Sequence, residues 1–388
     1  MDLKLRIKII KRRIGNHRDK SIWLFGAWMG TRYSDNPKEL FEYVSRNCPQ
    51  IKAFWVSKSQ EILDHISKLG FSSVQWGSDM HSKLLEKAGV VIYCIYEADV
   101  ADLNEIWKVY DACKLHTSHG MPIKKAYMDA PNAKRPTKWQ LKKDAFLTKI
   151  GYKGKIYNIC TSDFFKSITY SQFMNKNILV LGTPRLDIMF SKKESSFISD
   201  LRKKFPDGVR FILYMPTFRS ALDNGIPFSP FTQFGFDFMK MNDMLERQNM
   251  VFLNKAHFYD NNISDGLSSD RFVSIPNNPL LDIYDILKDV DILATDYSSI
   301  YTDFAIINKP IVLTPFDYND YIKDFRGLYF DFSEWPSKIV YNWPEFIKAI
   351  DNNDYWTLPE ERVKLFHKYT DANSCERIAN TLIENLNI

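Results

Sequence analysis

Asp291-Ile292-Leu293-Ala294-Thr295-Asp296-Tyr297-Ser298-Ser299-Ile300-Tyr301-Thr302-Asp303-Phe304-Ala305 reads as a strand that stops at a polar turn and reopens as a helix. The apolar run 291–295 is too short for a helix, and the two serines stand where a helix start needs oxygen-bearing side chains. The same grammar repeats outward. Strand-like runs at 210–215, 250–254 and 310–314 surround it, and an earlier set lies at 21–26, 51–57 and 90–96. Helical patterns at 37–46, 59–69 and 81–88 alternate with the earlier set. Strand and helix in alternation predict an α/β protein with parallel sheets.

A chain of 388 residues exceeds what one core comfortably supports, so two domains are expected. The polar stretch 191–199 after Pro184 reads as the hinge. The predicted division is a basic segment at 1–20, an acceptor-binding Rossmann-like domain at 21–190, a nucleotide-donor-binding Rossmann-like domain at 191–358, and a helical segment at 359–388 packing back across the interface. Two doubly wound domains facing a cleft describe the GT-B architecture, whose ligands sit at the carboxyl ends of the strands.

Five cysteines, spread out and never in a C-x-x-C pair, suggest neither a disulfide framework nor a zinc site, and point to a reducing cytosol. No apolar run approaches the roughly 20 residues of a spanning helix, and Lys4, Arg6 and Lys8 interrupt any signal-peptide core. Residues 1–20 nevertheless hold eight Lys/Arg against Asp2 and Asp19, a local +6 in a chain of net +5. With Leu3, Ile7, Ile10 and Ile14 at helical spacing, this segment predicts an amphipathic helix on an anionic membrane surface. Residues 114–155, with eleven Lys/Arg against Asp129 and Asp144, either extend that footprint or form an ordinary solvated face. Nucleic acid is not expected as a partner, because no recognition motif accompanies the cations.

Four segments carry candidate chemistry. Ser298 and Ser299 begin a helix, where free N–H groups favour a phosphate, although serine capping is the commoner explanation of such residues. His119-Gly120 follows the strand-like 114–117, which offers an imidazole for proton transfer and a close backbone approach. Thr217 and Arg219 in Met215-Pro216-Thr217-Phe218-Arg219 follow another strand, and a guanidinium there suits bidentate phosphate contact. Lys255-Ala256-His257 follows a third strand and pairs two donors on one wall. Each alone is more often a surface or structural group.

Taken in this order, the four segments resemble the CDP-glycerol glycerophosphotransferase family of teichoic acid synthesis, the TagB/TagF type, with its H-G, P-T-x-R, K-x-H and T-D-Y-S-S-x-x-x-D-F motifs. Trp23-Leu24-Phe25-Gly26 and residues 30–36 near the start, Leu181-Gly182-Thr183-Pro184-Arg185-Leu186-Asp187, Lys309-Pro310, Phe316-Asp317, Tyr321 and Arg326-Gly327-Leu328-Tyr329-Phe330 extend the likeness from about residue 21 onward. Thr117-Ser118 and Phe258 depart from the usual pattern beside His119 and His257. No added domain is visible, so the chain resembles the short primase-like members.

The resemblance implies transfer of glycerol phosphate from CDP-glycerol to a hydroxyl of a polyprenyl-diphosphate-linked saccharide, with CMP released, at the cytoplasmic face of the membrane. His119, His257 and Arg219 would be catalytic. Lys255, Thr217, Thr295, Asp296, Ser298, Ser299, Asp303 and Arg326 would hold the donor, with Gly120 and Lys124 on the acceptor side. No cofactor and no metal are expected. A ribitol phosphate donor, a GT-B glycosyltransferase using a nucleotide sugar, and a non-catalytic membrane scaffold are the alternatives.

Overall fold

The computed structural model describes residues 3–15, 17–130, 133–217, 230–255, 267–324, 327–331 and 334–388. Thirteen strands among these form two sheets, every pairing parallel. The first holds β1 (Asp19–Phe25), β2 (Lys52–Ser57), β3 (Ser73–Gln75), β4 (Ala88–Tyr93), β5 (Cys113–His116), β6 (Ile156–Cys160) and β7 (Ile178–Val180) in the order β3-β2-β1-β4-β5-β6-β7. The second holds β8 (Arg210–Tyr214), β9 (Met250–Asn254), β10 (Phe272–Ser274), β11 (Ile292–Thr295), β12 (Ile311–Leu313) and β13 (Lys338–Ile339) in the order β10-β9-β8-β11-β12-β13. In each sheet the winding reverses once, between β1 and β4 and between β8 and β11, and that reversal opens a crevice above the carboxyl ends.

Parallel sheets are covered on both faces, which explains why β4 and β9 are buried along their full length and read as continuous apolar runs. Trp23, Phe25, Phe41 and Trp55 fill one side of the first sheet, and Tyr214, Phe252, Phe272 and Trp343 one side of the second. A third cluster crosses between lobes: Cys160, Phe165 and Ile178 of the first share it with Phe211, Leu253 and Leu293 of the second. The crevice therefore has a floor of shared core.

The chain returns to the first lobe at its end. Cys375, Ile378, Ala379 and Leu382 of helix Ser374–Leu386 are buried against the first-lobe core, and burying Ile378 and Leu382 alone contributes roughly 1.5–3 kcal/mol each. Asp187 caps this helix from another segment, accepting from Ser374 N at 2.9 Å and Cys375 N at 2.8 Å. Gly182 makes the approach achievable, since a Cβ there would stand 2.4 Å from Ser374 Oγ.

The expected basic helix is present as Leu3–Gly15. Ile9 and Arg12 bury against the first lobe, where Arg12 and Arg18 both pair with Asp111, while Ile7, Ile10 and Ile14 stay exposed. The second basic zone divides. Lys114 is buried and donates to Tyr110 O, whereas helix Lys138–Lys149 buries nothing and exposes Trp139 and Phe146. Ile10 and Ile14 share one groove with Thr148, Lys153 and Lys155, so the two zones meet.

Candidate active site

The crevice between the lobes has a volume of about 790 Å3 and takes its walls from both. His119, Gly120 and Lys124 line it from the first lobe, and Thr217, Lys255, Ser298 and Ser299 from the second. β5 ends at His116, and the three residues after it carry His119 beyond the sheet edge. The lobes touch directly beside it. A Cβ on Gly120 would stand 2.1 Å from Ser299 Oγ, so only glycine lets these two segments meet.

His119 is exposed to the crevice, which takes its walls from both lobes and is open to solvent on one side. That surrounding protein disfavours an imidazolium and holds its pKa below the ordinary value; Asp35 opposes the shift, while Arg185 and Lys124 add to it. The ring meets the edge of Trp28 at 5.8 Å. His119 is therefore neutral at neutral pH, the form that takes a proton. His116 is a different kind of group. It is buried and pushed down to about 4 by desolvation; its Nδ1 lies 2.8 Å from Asn158 Nδ2 and its Nε2 3.1 Å from Cys94 O, so it is structural.

Across the crevice, Lys255 continues β9 and donates to Pro276 O at 3.3 Å. Desolvation, reinforced by Arg32, pulls its ammonium down to about 8. Ser298 and Ser299 precede a helix of only five residues, Ile300–Phe304, and Ser299 makes no capping hydrogen bond through its side chain. Any anion binding there rests on the serine hydroxyls and local N–H groups rather than on a helix dipole, which needs aligned turns.

The signature segment divides its labour in a way the sequence did not reveal. Thr295, Asp296 and Asp303 are fully buried and absent from the crevice lining. Thr295 Oγ1 donates to Met215 O at 2.7 Å, and Asp296 accepts from Thr217 N at 2.8 Å, so both residues hold the start of the Thr217 loop in place. Asp303 accepts from Arg185 Nη2 at 2.6 Å and Tyr284 Oη at 2.5 Å. All three are expected from sequence to hold the donor; here each is buried and bonded to protein groups behind the crevice wall. Arg219, His257 and Arg326 lie outside the described residues.

Sequence reasoning passed over Asp35 and Trp28 as site residues. Both line the crevice, and both have positive φ, 70° and 50°, in a segment that leaves β1. Asp35 has two sequence signals, its place in the family-like stretch 30–36 and an Asp-Asn pair of a type tolerated in the left-handed region, and Trp28 has none. Arg185 was noted only as part of a motif, yet it spans the lobes, with Nη1 2.8 Å from Asp35.

Comparisons with known proteins agree with this geometry. The teichoic acid glycerol-phosphate transferase of Staphylococcus aureus is 26% identical over 386 residues, covering 94% of each chain. The teichoic acid ribitol-phosphate polymerase TarL of the same organism is 31% identical over 219 residues, 53% of this chain and 37% of TarL, so the match spans well under half of that relative. Among solved structures, the wall teichoic acid polymerase TagF superposes with a TM-score of 0.72 at 19% identity, covering 99% of this chain and 97% of the other. A UDP-N-acetylglucosamine 2-epimerase from Listeria monocytogenes shares the two-lobed fold more distantly, at a TM-score of 0.53 and 12% identity over 95% of this chain and 96% of that one. The family model for CDP-glycerol:poly(glycerophosphate) glycerophosphotransferases runs over residues 8–384, through both lobes and the crevice they enclose, and the chain is a member of that family.

Proposed function

We propose that this chain transfers glycerol phosphate from CDP-glycerol to a hydroxyl of a lipid-diphosphate-linked saccharide in teichoic acid or related polymer synthesis. The acceptor oxygen bonds to the phosphorus that bears glycerol, the bond from that phosphorus to the bridging oxygen breaks, and CMP leaves with that oxygen. The hydroxyl proton passes to His119. Lys255, with the hydroxyls of Ser298, Ser299 and Thr217, offsets charge on the diphosphate, so rate comes from positioning and electrostatics. The observation that carries this reading is one crevice in which a neutral His119 from one lobe faces Lys255 and Ser298 from the other. Ribitol phosphate is a second reading of the donor, favoured by the 31% identity to a ribitol-phosphate polymerase.

Membrane attachment belongs to the same reading. The exposed Ile7, Ile10 and Ile14 face, flanked by Lys8 and Lys11, and the exposed Trp139 and Phe146 among Lys138, Lys142 and Lys143 suit an anionic bilayer surface. No described helix is long and apolar enough to cross a membrane. We further propose that no metal is required, since Lys255 and the hydroxyls supply the stabilisation a cation would. Turnover is expected to persist in EDTA; loss restored by magnesium contradicts it.

The test is to incubate the protein with CDP-glycerol, CDP-ribitol or UDP-sugars and a synthetic lipid-linked acceptor, then weigh the products. A gain of one glycerol phosphate, with CMP formed in equal amount, is expected. A gain of a sugar from a UDP donor assigns a glycosyltransferase instead.

A further inference from the structure

One short segment grips both sides of the crevice. Asp35, at φ 70°, turns the chain so that its carboxylate accepts from Asn36 N at 2.8 Å and from Arg185 Nη1 at 2.8 Å. Its own N–H donates to Asp282 of the second lobe at 2.7 Å. Asn36 then reaches the strand end that leads to His119: its Nδ2 donates to Thr117 O at 3.2 Å and Ser118 O at 2.8 Å, and its Oδ1 accepts from Arg185 N at 3.1 Å. Arg185 carries the chain of contacts on to Asp303 in the signature segment. A left-handed aspartate is strained backbone, and such strain concentrates where a side chain must be aimed.

We propose that Asp35 is a positioning residue for the transfer: held by Asn36 and Arg185, its carboxylate sets the orientation and the basicity of His119 from the crevice wall. The inference rests on His119 being the base.

The electrostatics have a definite sign. The described charged groups acting on His119 are Asp35, Arg185 and Lys124. His116 lies near on the same strand end and stays neutral, while Arg32, Asp282 and Lys255 line the crevice further round. Asp35 is the larger of the two groups that oppose the desolvation of His119, the other being the backbone of Cys94. Two carboxylates, Asp35 and Asp303, share the single charge of Arg185, so the contact keeps a net negative charge. That charge stabilises an imidazolium formed as the proton arrives. Asp303 reaches His119 only through Arg185, so its effect is indirect.

The test compares wild type with Asp35→Asn, since asparagine tolerates the left-handed conformation and keeps an acceptor for Arg185. The His119 ring is titrated by NMR with labelled histidine, assigned through His119→Gln, and the pH profile of kcat/KM is measured alongside. The expected result is a ring titration about half a pH unit lower or more, the acid limb moving with it, and a plateau reduced about tenfold. A ring that titrates unchanged while the rate falls overturns the proposal, since loss of packing alone does not shift the imidazole. A ring that shifts while the acid limb stays put upholds the positioning role but removes His119 as base, separating failure of the mechanism from failure of this inference. Arg185→Lys, which keeps the charge but loses the two-pronged contact, is expected to raise KM for the acceptor while leaving the limb within about 0.2 unit of wild type; a limb shift as large as that of Asp35→Asn would assign the effect to Arg185 instead.

Discussion

At the residue scale, the crevice works by keeping two ordinary groups in unusual protonation balance. In the proposed reaction a neutral His119 takes the proton, and Lys255, at about 8, stays mostly charged at neutral pH yet titrates within reach of the working range. If the anionic donor binds the charged ammonium as proposed, donor KM is expected to climb as pH passes through about 8, and Lys255→Arg to remove that rise. Steady-state kinetics from pH 6.5 to 9.5 would decide it; a flat donor KM in wild type would separate Lys255 from the donor. Much of this site was legible from residue types after strand ends: His119, Gly120, Thr217, Lys255, Ser298 and Ser299 all line one crevice. What was not legible is depth. Thr295, Asp296 and Asp303 have the same polarity as ligand groups, but they are spent on Met215, Thr217 and Arg185 inside the protein. A linear motif does not distinguish a residue that touches a ligand from one that holds the residue that does.

At the scale of elements, two helices set testable behaviour. In helix Asp35–Asn47, Lys38 is shared between Glu39 at 3.1 Å and Asp285 of the second lobe at 3.3 Å, with Asp282 and Glu42 also near. One ammonium among several carboxylates leaves burial dominant at Glu39, whose pKa rises to about 7. Because the folded value lies above the unfolded one, this group's contribution is full below about 4.5 and is lost as pH rises through about 7. Glu39→Gln is expected to flatten that loss, gaining on the order of 1 kcal/mol at pH 8 relative to pH 5, read by urea unfolding. An unchanged pH dependence would show that Glu39 is ionised throughout. Helix Leu3–Gly15 docks through Ile9 and Arg12 and leaves its other apolar face open, so Ile7→Ser/Ile10→Ser/Ile14→Ser should weaken binding to anionic vesicles about tenfold or more while barely changing the unfolding midpoint. Equal vesicle binding by the variant would remove this helix from the membrane contact. The long apolar strands were readable because parallel sheets bury both faces; β3, β7, β10 and β13, two or three residues each, carry too few side chains to show a period.

At the scale of the whole molecule, two parallel sheets, a shared core beneath them and a C-terminal helix strapped back by Asp187 hold the lobes over one crevice. The two-lobe plan followed from strand-helix alternation and length, whereas the residues that join the lobes, Asp35, Arg185 and Tyr284, carry no periodic signal because each is defined by a partner far away in sequence. A ligand that binds only the folded lobes stabilises them with the logarithm of its concentration over Kd, so CDP-glycerol at a hundred times its Kd should raise stability by about 2.7 kcal/mol, while UDP-sugars should leave the melting temperature unchanged. Protection by UDP-sugars alone would reverse the donor assignment. The most direct measurement is a crystal structure of the protein with CDP-glycerol bound. The expected result is the diphosphate within hydrogen-bond reach of Lys255 and Ser298, with the glycerol-bearing phosphorus open to an acceptor oxygen beside His119. A donor seated outside the crevice, or one whose phosphorus faces away from His119, would contradict it.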